Sequence, residues 1–393
     1  MTSEPSLHRQ AAPPPWRDVR VLRLLAQLLA GLLVVLVGWW LWSNLVANMR
    51  DTNLSFGFGF LSTTAGFEIG ETLIPYRATE SYGRAFLVGL ANTLLVSLIG
   101  ILLATILGII TGVARLSQNW LVNRLAAGYV EVMRNTPLLV QLVLIYAVLL
   151  QLPAVSEAIS LPGSIFLSQR GLFVPRPDLQ PGFGLWLGFI AAGIIFLVVA
   201  FKFAGRREAA GRPVRHARLF GLLLLIGLAV VGWLISGGPV ALELPTRDRF
   251  NFVGGLTLSP ELTALITGLV VYTAAFIGEV VRGGIQAVRR GQLEAAYSLG
   301  LTPMQTLRLV VFPQALRVIV PPLTSQYLNL AKNSSLAIAV GFGDLFSVSK
   351  TMANQTGQPV SVIVLVMATY LAISLITSLF MNIYNRRVQV LER

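Results

Sequence analysis

The sequence predicts an all-α polytopic membrane protein with about eight transmembrane helices, and three observations carry that prediction. Of the 393 residues 55% are apolar and 12% charged, well below the roughly one quarter charged of soluble domains, and mean hydropathy is +0.72. Apolar runs recur at the length of about 20 residues that a helix needs to cross a ~30 Å hydrocarbon core. They fall at about 21–43, 86–113, 129–150, 184–201, 218–236, 262–281, 314–339 and 360–383. The segments between them alternate in charge, every second one being the basic one.

Taken in order, residues 1–83 hold a polar stretch with Pro13, Pro14 and Pro15, an anchor helix and an external loop. The anchor is longer than a signal-peptide core and lacks a small-x-small cleavage site, so it is expected to be retained. Residues 84–150 form a first pair of spans. Within them Gly108 and Gly112 have the GxxxG spacing that permits close helix contact, and Thr136-Pro137 marks a helix distortion. Residues 151–260 are an insertion. It opens with a turn-rich stretch carrying Pro153, Pro162, Pro175, Pro177 and Pro181, which lipid cannot accommodate because proline removes donors that nothing there replaces. Two further spans follow, separated by the basic loop 205–215, read as a topology signal or as a contact with anionic headgroups. Residues 261–393 supply the remaining spans around a second basic segment.

A formal charge of +13 suggests nucleic acid in a soluble protein, but its distribution argues for topology instead. With the N-terminus inside, the inner segments collect Arg9, Arg17, Arg20 and Arg23, then Arg115 and Arg124, then Lys202, Arg206, Arg207, Arg212, Arg215 and Arg218, and finally Arg386, Arg387 and Arg393. An even number of spans with both termini inside fits this series, while Arg249 falls among the scattered cations outside. Cysteine is absent, which rules out a disulfide framework and a thiolate metal site.

The segment 282–322 is expected to act as a coupling loop. Residues 291–299 can form a short helix bearing Glu294, Ala295 and Ala296, ended by Gly300 as its left-handed residue. Thr302 then suits an N-cap and Pro303 a first turn, and Phe312-Pro313 marks the junction with the next span. Ala295 and Ala296 are small enough to let another protein approach, and Glu294 can pair with a cation there. The alternative is an ordinary amphipathic loop lying on the membrane surface.

Glu-Ala-Ala, three residues, Gly, nine residues and an apolar-x-apolar-Pro element resemble the pattern of permease subunits of bacterial ABC importers. Here the last element reads Val310-Val311-Phe312-Pro313. Residues 129–141, Tyr-Val-Glu-Val-Met-Arg-Asn-Thr-Pro-Leu-Leu-Val-Gln, are similar to the start of a span in polar amino acid permeases, and Lys-Asn-Ser-Ser-Leu at 332–336 resembles that family's Lys-Asp-Thr-Ser-Leu, with Asn333 in place of aspartate. The anchor, the insertion and Leu167-Ser168-Gln169-Arg170-Gly171-Leu172 are similar to the larger general L-amino acid permeases. The resemblance implies a permease core of about five helices in a bacterial inner membrane. It also implies a second homologous permease subunit, separate ATPase subunits docking on the coupling loop, and a periplasmic amino acid binding protein. The expected cargo is polar L-amino acids such as glutamate, glutamine, aspartate and asparagine. The missing motor has independent support: a Walker A loop needs a glycine before its lysine, and the three lysines follow Phe201, Ala331 and Ser349.

Ionisable groups within lipid are costly and therefore candidates. Glu279 and Arg282, three apart on one face, read as a structural ion pair. Asn329, Lys332, Asn333, Ser334 and Ser335, with Thr136, form a candidate substrate pathway, because a carboxylate substrate can use such a cation and donors. The same groups can equally bond neighbouring helices. No catalytic constellation emerges. Gly341-Phe342-Gly343-Asp344 matches the GxGD string of intramembrane aspartyl proteases, but no second aspartate lies in a span, and it reads as a turn. His8 and His216 sit in separate basic segments, so no paired-histidine metal site is expected, and no cofactor is. Membrane lipid is an expected partner and nucleic acid is not. The rival to an ATP-driven permease is an ion-coupled secondary amino acid transporter, which ordinarily carries midplane acidic groups.

Overall fold

The computed structural model describes residues 16, 19–51, 56–210, 216–248 and 251–388. Expectations on Arg9, Arg17, Arg212, Arg215, Arg249, Arg393, His8 and the prolines at 13–15 lie outside the described residues. The first helix, α1 (Val19–Asp51), carries one unbroken apolar run, and the described side chains of 21–44 are all exposed. A short 3-10 turn (Gly59–Ser62) follows, with Phe60, Ala65 and Ile69 buried over the start of α2 (Tyr82–Ala114).

The expected span at 129–150 is two helices rather than one. These are α3 (Trp120–Asn135) and α4 (Leu138–Leu150), which meet at 108°. Pro137 lacks an N–H and crowds the residue before it, and Thr136 is accordingly extended (φ −106, ψ 132). Among the described residues seven helices are long and apolar enough to cross a membrane, and counting this bent pair as one crossing gives eight.

The turn-rich part of the insertion contains structure that its sequence does not advertise. Strands β1 (Ile159–Leu161), β2 (Ile165–Ser168), β3 (Gly171–Val174) and β4 (Arg176–Leu179) precede the helical hairpin α5 (Phe183–Ala209) and α6 (Ala217–Ile235). Strands β5 (Val240–Glu243), β6 (Thr246–Arg247), β7 (Phe252–Val253) and β8 (Leu256–Leu258) follow it. The main sheet runs β1-β2-β3-β8, all antiparallel, while β4 pairs with β5 and β6 with β7. Phe173 and Phe252 are buried with Val155 and Ala158, and Phe166 stacks on Phe252 at 4.7 Å between ring centroids. The module is small, and the fold remains all-α.

The chain then enters α7 (Pro260–Gln286), a short helical hairpin of α8 (Arg290–Ser298) and α9 (Pro303–Thr306), and α10 (Phe312–Asn333). A 3-10 turn (Ser334–Ala339), α11 (Leu345–Thr356) and α12 (Pro359–Val388) complete it. At the centre is α7, which packs against α2, α3, α4 and α10. It starts cleanly because Ser259 caps it, accepting from the Leu262 N–H at 3.1 Å, with Pro260 in the first turn. The beginning of α2 packs on α11. There Asn92 is 2% exposed and donates through Nδ2 to the carbonyls of Glu71 and Gly343, both at 2.8 Å. One amide thus fastens the loop after α1, the helix α2 and the turn before α11.

Close packing in lipid rests on shape, since the tails are as apolar as the helices. A Cβ at Gly108 would stand 2.5 Å from Ile277 Cγ2, and one at Gly112 would stand 2.6 Å from the Gly278 carbonyl oxygen. The GxxxG spacing therefore does bring α2 against α7. Gly112→Leu must force backbone apart, at an expected cost of about 1–3 kcal/mol. We expect the melting temperature of the purified chain to fall by several degrees, while Gly128→Leu, where a Cβ meets nothing within 4 Å, leaves it unchanged.

Candidate functional site

The α8–α9 hairpin, the expected coupling loop, is built by two local motifs that leave little freedom. Gly300 adopts φ +77, its N–H donates to the Tyr297 carbonyl at 2.9 Å, and the Leu301 N–H donates to the Ala296 carbonyl at 3.1 Å. This is a complete Schellman close to α8. One residue later Thr302 opens α9 with a capping box: Thr302 Oγ1 accepts from the Gln305 N–H at 3.4 Å, and Gln305 Oε1 accepts from the Thr302 N–H at 2.9 Å. The chain continues without a break from α9 through a π turn (Leu307–Val311) into α10. Pro313, just beyond, supplies no N–H to a regular helical ladder, which accounts for the widened turn.

Glu294, Ala295, Gly300 and Pro313 are exposed, whereas Ala296 is 3% exposed and belongs to the hairpin's own interior. Of the two alanines, only Ala295 is presented outward. The outermost surface is apolar: Leu299 is 82% exposed, Met304 71% and Tyr297 51%. Arg289, Arg290 and Arg308 are exposed around it. Large apolar side chains gathered at the tip of a polar hairpin mark a contact surface.

A second constellation lies where α2, α3 and α7 converge. Arg115 caps the end of α2 and pairs with Glu279 Oε2, while Arg282 grips Glu279 Oε1 through Nε at 2.8 Å and through Nη2. Both carboxylate oxygens are thus engaged, and Arg282 Nη1 donates onward to Gln286 Oε1 at 2.6 Å. The position of Arg115 is fixed by the turn into α3, where Asn123 Nδ2 donates to the Arg115 carbonyl at 2.6 Å and Asn119 caps α3. Beside this triad opens a polar cavity of about 440 Å³, lined by Arg115, Glu131, Arg134, Asn135, Phe276 and Glu279 among others. The Arg134 guanidinium stands 5.2 Å from the Phe276 ring centre.

Glu279 and Arg282 meet as their spacing suggests. Sequence reading did not single out Glu131, Arg134 and Asn135, whose i, i+3, i+4 spacing on one helix face was the available signal. It took Arg115 for a topology charge. The other candidate group is placed differently from its sequence picture. Lys332 lies in the last turn of α10, where the helix tightens into a 3-10 turn, rather than mid-helix, and it is exposed, as is Asn329. Asn333 and Ser335 are half-buried and Ser334 is fully buried. Ser334 Oγ donates to the Ala331 carbonyl and Ser335 Oγ to the Lys332 carbonyl, both at 2.8 Å, and Thr136 Oγ1 donates to the Val132 carbonyl at 2.7 Å. These hydroxyls are satisfied by their own helices. Asp344 is the N-cap of α11, accepting from the Phe346 and Ser347 N–H groups at 3.2 and 2.8 Å, so the GxGD string is a structural turn.

The chain is a many-helix membrane protein with an apolar-tipped hairpin between two of its core helices. Residues 104–390 match the family described as the inner membrane component of binding-protein-dependent transport systems, and the chain belongs to that family. It is 45% identical over 365 residues to the general L-amino acid transport system permease protein AapQ of Rhizobium johnstonii, covering 92% of this chain and 91% of that one. It is 47% identical over 371 residues, 94% of each chain, to the putative amino-acid ABC transporter permease protein YhdX of Escherichia coli. A third relative is the glutamate/glutamine/aspartate/asparagine transport system permease protein BztB of Rhodobacter capsulatus, 41% identical over 407 residues and 96% of each chain.

Proposed function

We propose that this chain is one permease subunit of an ATP-driven importer that carries polar L-amino acids, such as glutamate, glutamine, aspartate and asparagine, from periplasm to cytoplasm. A second homologous permease subunit completes the pathway. Separate ATPase subunits supply the energy, and a periplasmic binding protein delivers the cargo. The names of the relatives motivate the cargo, and the observation that carries the mechanism is the hairpin. Its apolar tip offers an ATPase a grip, and the unbroken helical path from Pro303 to Ala339 transmits a push at that tip into the span behind it. A shift in access then follows from differential binding of the two ATPase states.

This assignment puts the coupling hairpin, both termini and the loop between α5 and α6 on the cytoplasmic side. The β module faces the periplasm. The charged cavity suits a zwitterion, since Arg134 offers a guanidinium to an α-carboxylate and Glu131 a carboxylate to an α-ammonium, and its volume lies within the range of small-ligand sites, about 300–1,000 Å³. Asn329 and Lys332, exposed on α10, are assigned to the lining where the second subunit closes the pathway. The ion-coupled alternative loses its candidate group, because both oxygens of Glu279 are occupied by guanidinium partners.

The natural absence of cysteine makes the test clean. Leu299→Cys in a tagged chain is expected to cross-link to an ATPase subunit in cells that are importing amino acid, and gentle solubilisation is expected to retain both that ATPase and a second permease. Active import with no cross-link from the tip, and no ATPase retained, sinks the proposal.

A further inference from the structure

We propose that the α5–α6 hairpin carries a binding site for an anionic phospholipid at its basic end. The two helices pack on each other, with Gly221 against Ala200 and Leu197, and Gly232 against Phe189. Among the described residues no other helix makes a comparable contact with either. Their outward faces are therefore open to the bilayer. Near the end of α5 one such face changes from apolar to cationic. A hollow of about 550 Å³ is lined by Phe203, Arg206, Arg207 and Ala210, and another of about 340 Å³, lined by Leu197, Val198, Phe201 and Lys202, lies on a different side of α5 at about 3.6 residues per turn. The arginine-lined hollow suits a headgroup, and Phe196, Val199 and Phe203, exposed on the same side of α5, offer a track for an acyl chain.

The charges there are in excess of what the hairpin itself neutralises. Arg218 reaches across from α6 to Glu208 at 2.6 Å and lies over the Phe201 ring, consuming the one carboxylate of this end. Lys202, Arg206 and Arg207 are exposed and make no ion pair among the described residues. Arg207 stands 5.2 Å from the Phe203 ring centre, which holds its guanidinium at the hollow's edge. Lys202 and Arg206 are one helical turn apart on the same face. Two forked guanidinium groups and an ammonium at the rim of an apolar trough match a phosphodiester whose tail lies along the helix. Since α5 and α7 both run away from the β module, this end lies on the side of the coupling hairpin. Placing it in the inner leaflet rests on the proposed function, whereas the lipid contact does not.

The test measures lipid retained by the purified full-length chain after exchange in mixed phosphatidylglycerol and phosphatidylcholine vesicles. Wild type is expected to enrich phosphatidylglycerol. K202Q/R206Q/R207Q is expected to lose that enrichment by about fivefold for each cation removed, and Arg124→Gln to keep it. A maleimide that cannot cross membranes, reacting at Gly205→Cys, confirms which way the hairpin is inserted. Should the triple variant invert, R206K/R207K decides, because it keeps the charge and loses the guanidinium forks; reduced enrichment there supports the site. No enrichment in wild type, enrichment unchanged in a correctly inserted triple variant or in the lysine double variant, or full displacement of the lipid by inorganic phosphate overturns it. Absence of amino acid transport by the wild-type assembly alongside normal lipid enrichment would count against the proposed function and leave the lipid site standing.

Discussion

Amino acid uptake is expected to fall to background when Gly300 becomes proline, while the chain still inserts and still binds its membrane partner. Gly300 sits at φ +77, and proline is held near −65°. The substitution also deletes the N–H that donates to the Tyr297 carbonyl. Both halves of the Schellman close are lost together, so α8 and α9 change their mutual angle and the tip at Leu299 and Met304 is re-aimed. Nothing lies within 4 Å of an added Cβ, so the effect is conformational rather than steric. That yields a graded series. Gly300→Asn, which tolerates the left-handed region, should retain most uptake, and Gly300→Ala, at a cost of about 1–2 kcal/mol, should retain less. Radiolabelled glutamine uptake in intact cells, normalised to inserted protein, reads the series; wild-type transport by the proline variant would falsify the coupling role.

Glu279→Ala is expected to be the most damaging single change within the helical core. It leaves Arg115 and Arg282 facing one another without the carboxylate that both now share. Breaking a fully buried pair costs about 3–5 kcal/mol. This one is about a quarter exposed, with side chains at 23–29%, so screening lowers the expectation to about 1–3 kcal/mol. Melting temperature and uptake should both drop. The discriminating variant removes charge on both sides: Glu279→Gln with Arg115→Gln should recover part of the stability, because coupled sites are not additive. A double-variant loss equal to the sum of the two single losses would show that the bridge between α2 and α7 contributes nothing.

Local signals were legible in the sequence and distant ones were not. The spans could be read because length and apolarity are properties of one segment. Gly300 and Thr302 could be read because a Schellman close and a capping box are contained within a few residues. Arg115 meets Glu279 across 164 positions, and nothing near either residue announces the other. The β module was hidden for a related reason: its strands are two to four residues long, and β3 pairs with β8 across the whole hairpin. Lys332 was misplaced because hydropathy shows no difference between α10 and the 3-10 turn that replaces it at Ser334. Ala296 was assigned to a partner because composition does not tell which side of a short helix faces its own chain.

The strands that flank the α5–α6 hairpin already lie side by side, with Leu179 opposite Val240 and the Gln180 N–H donating to the Pro239 carbonyl at 3.0 Å. A detour of roughly sixty residues therefore leaves and re-enters the module at nearly one point. Such a doorway makes the hairpin a cassette: a lineage can acquire, exchange or discard it by closing the gap with a tight turn, without re-folding anything on either side.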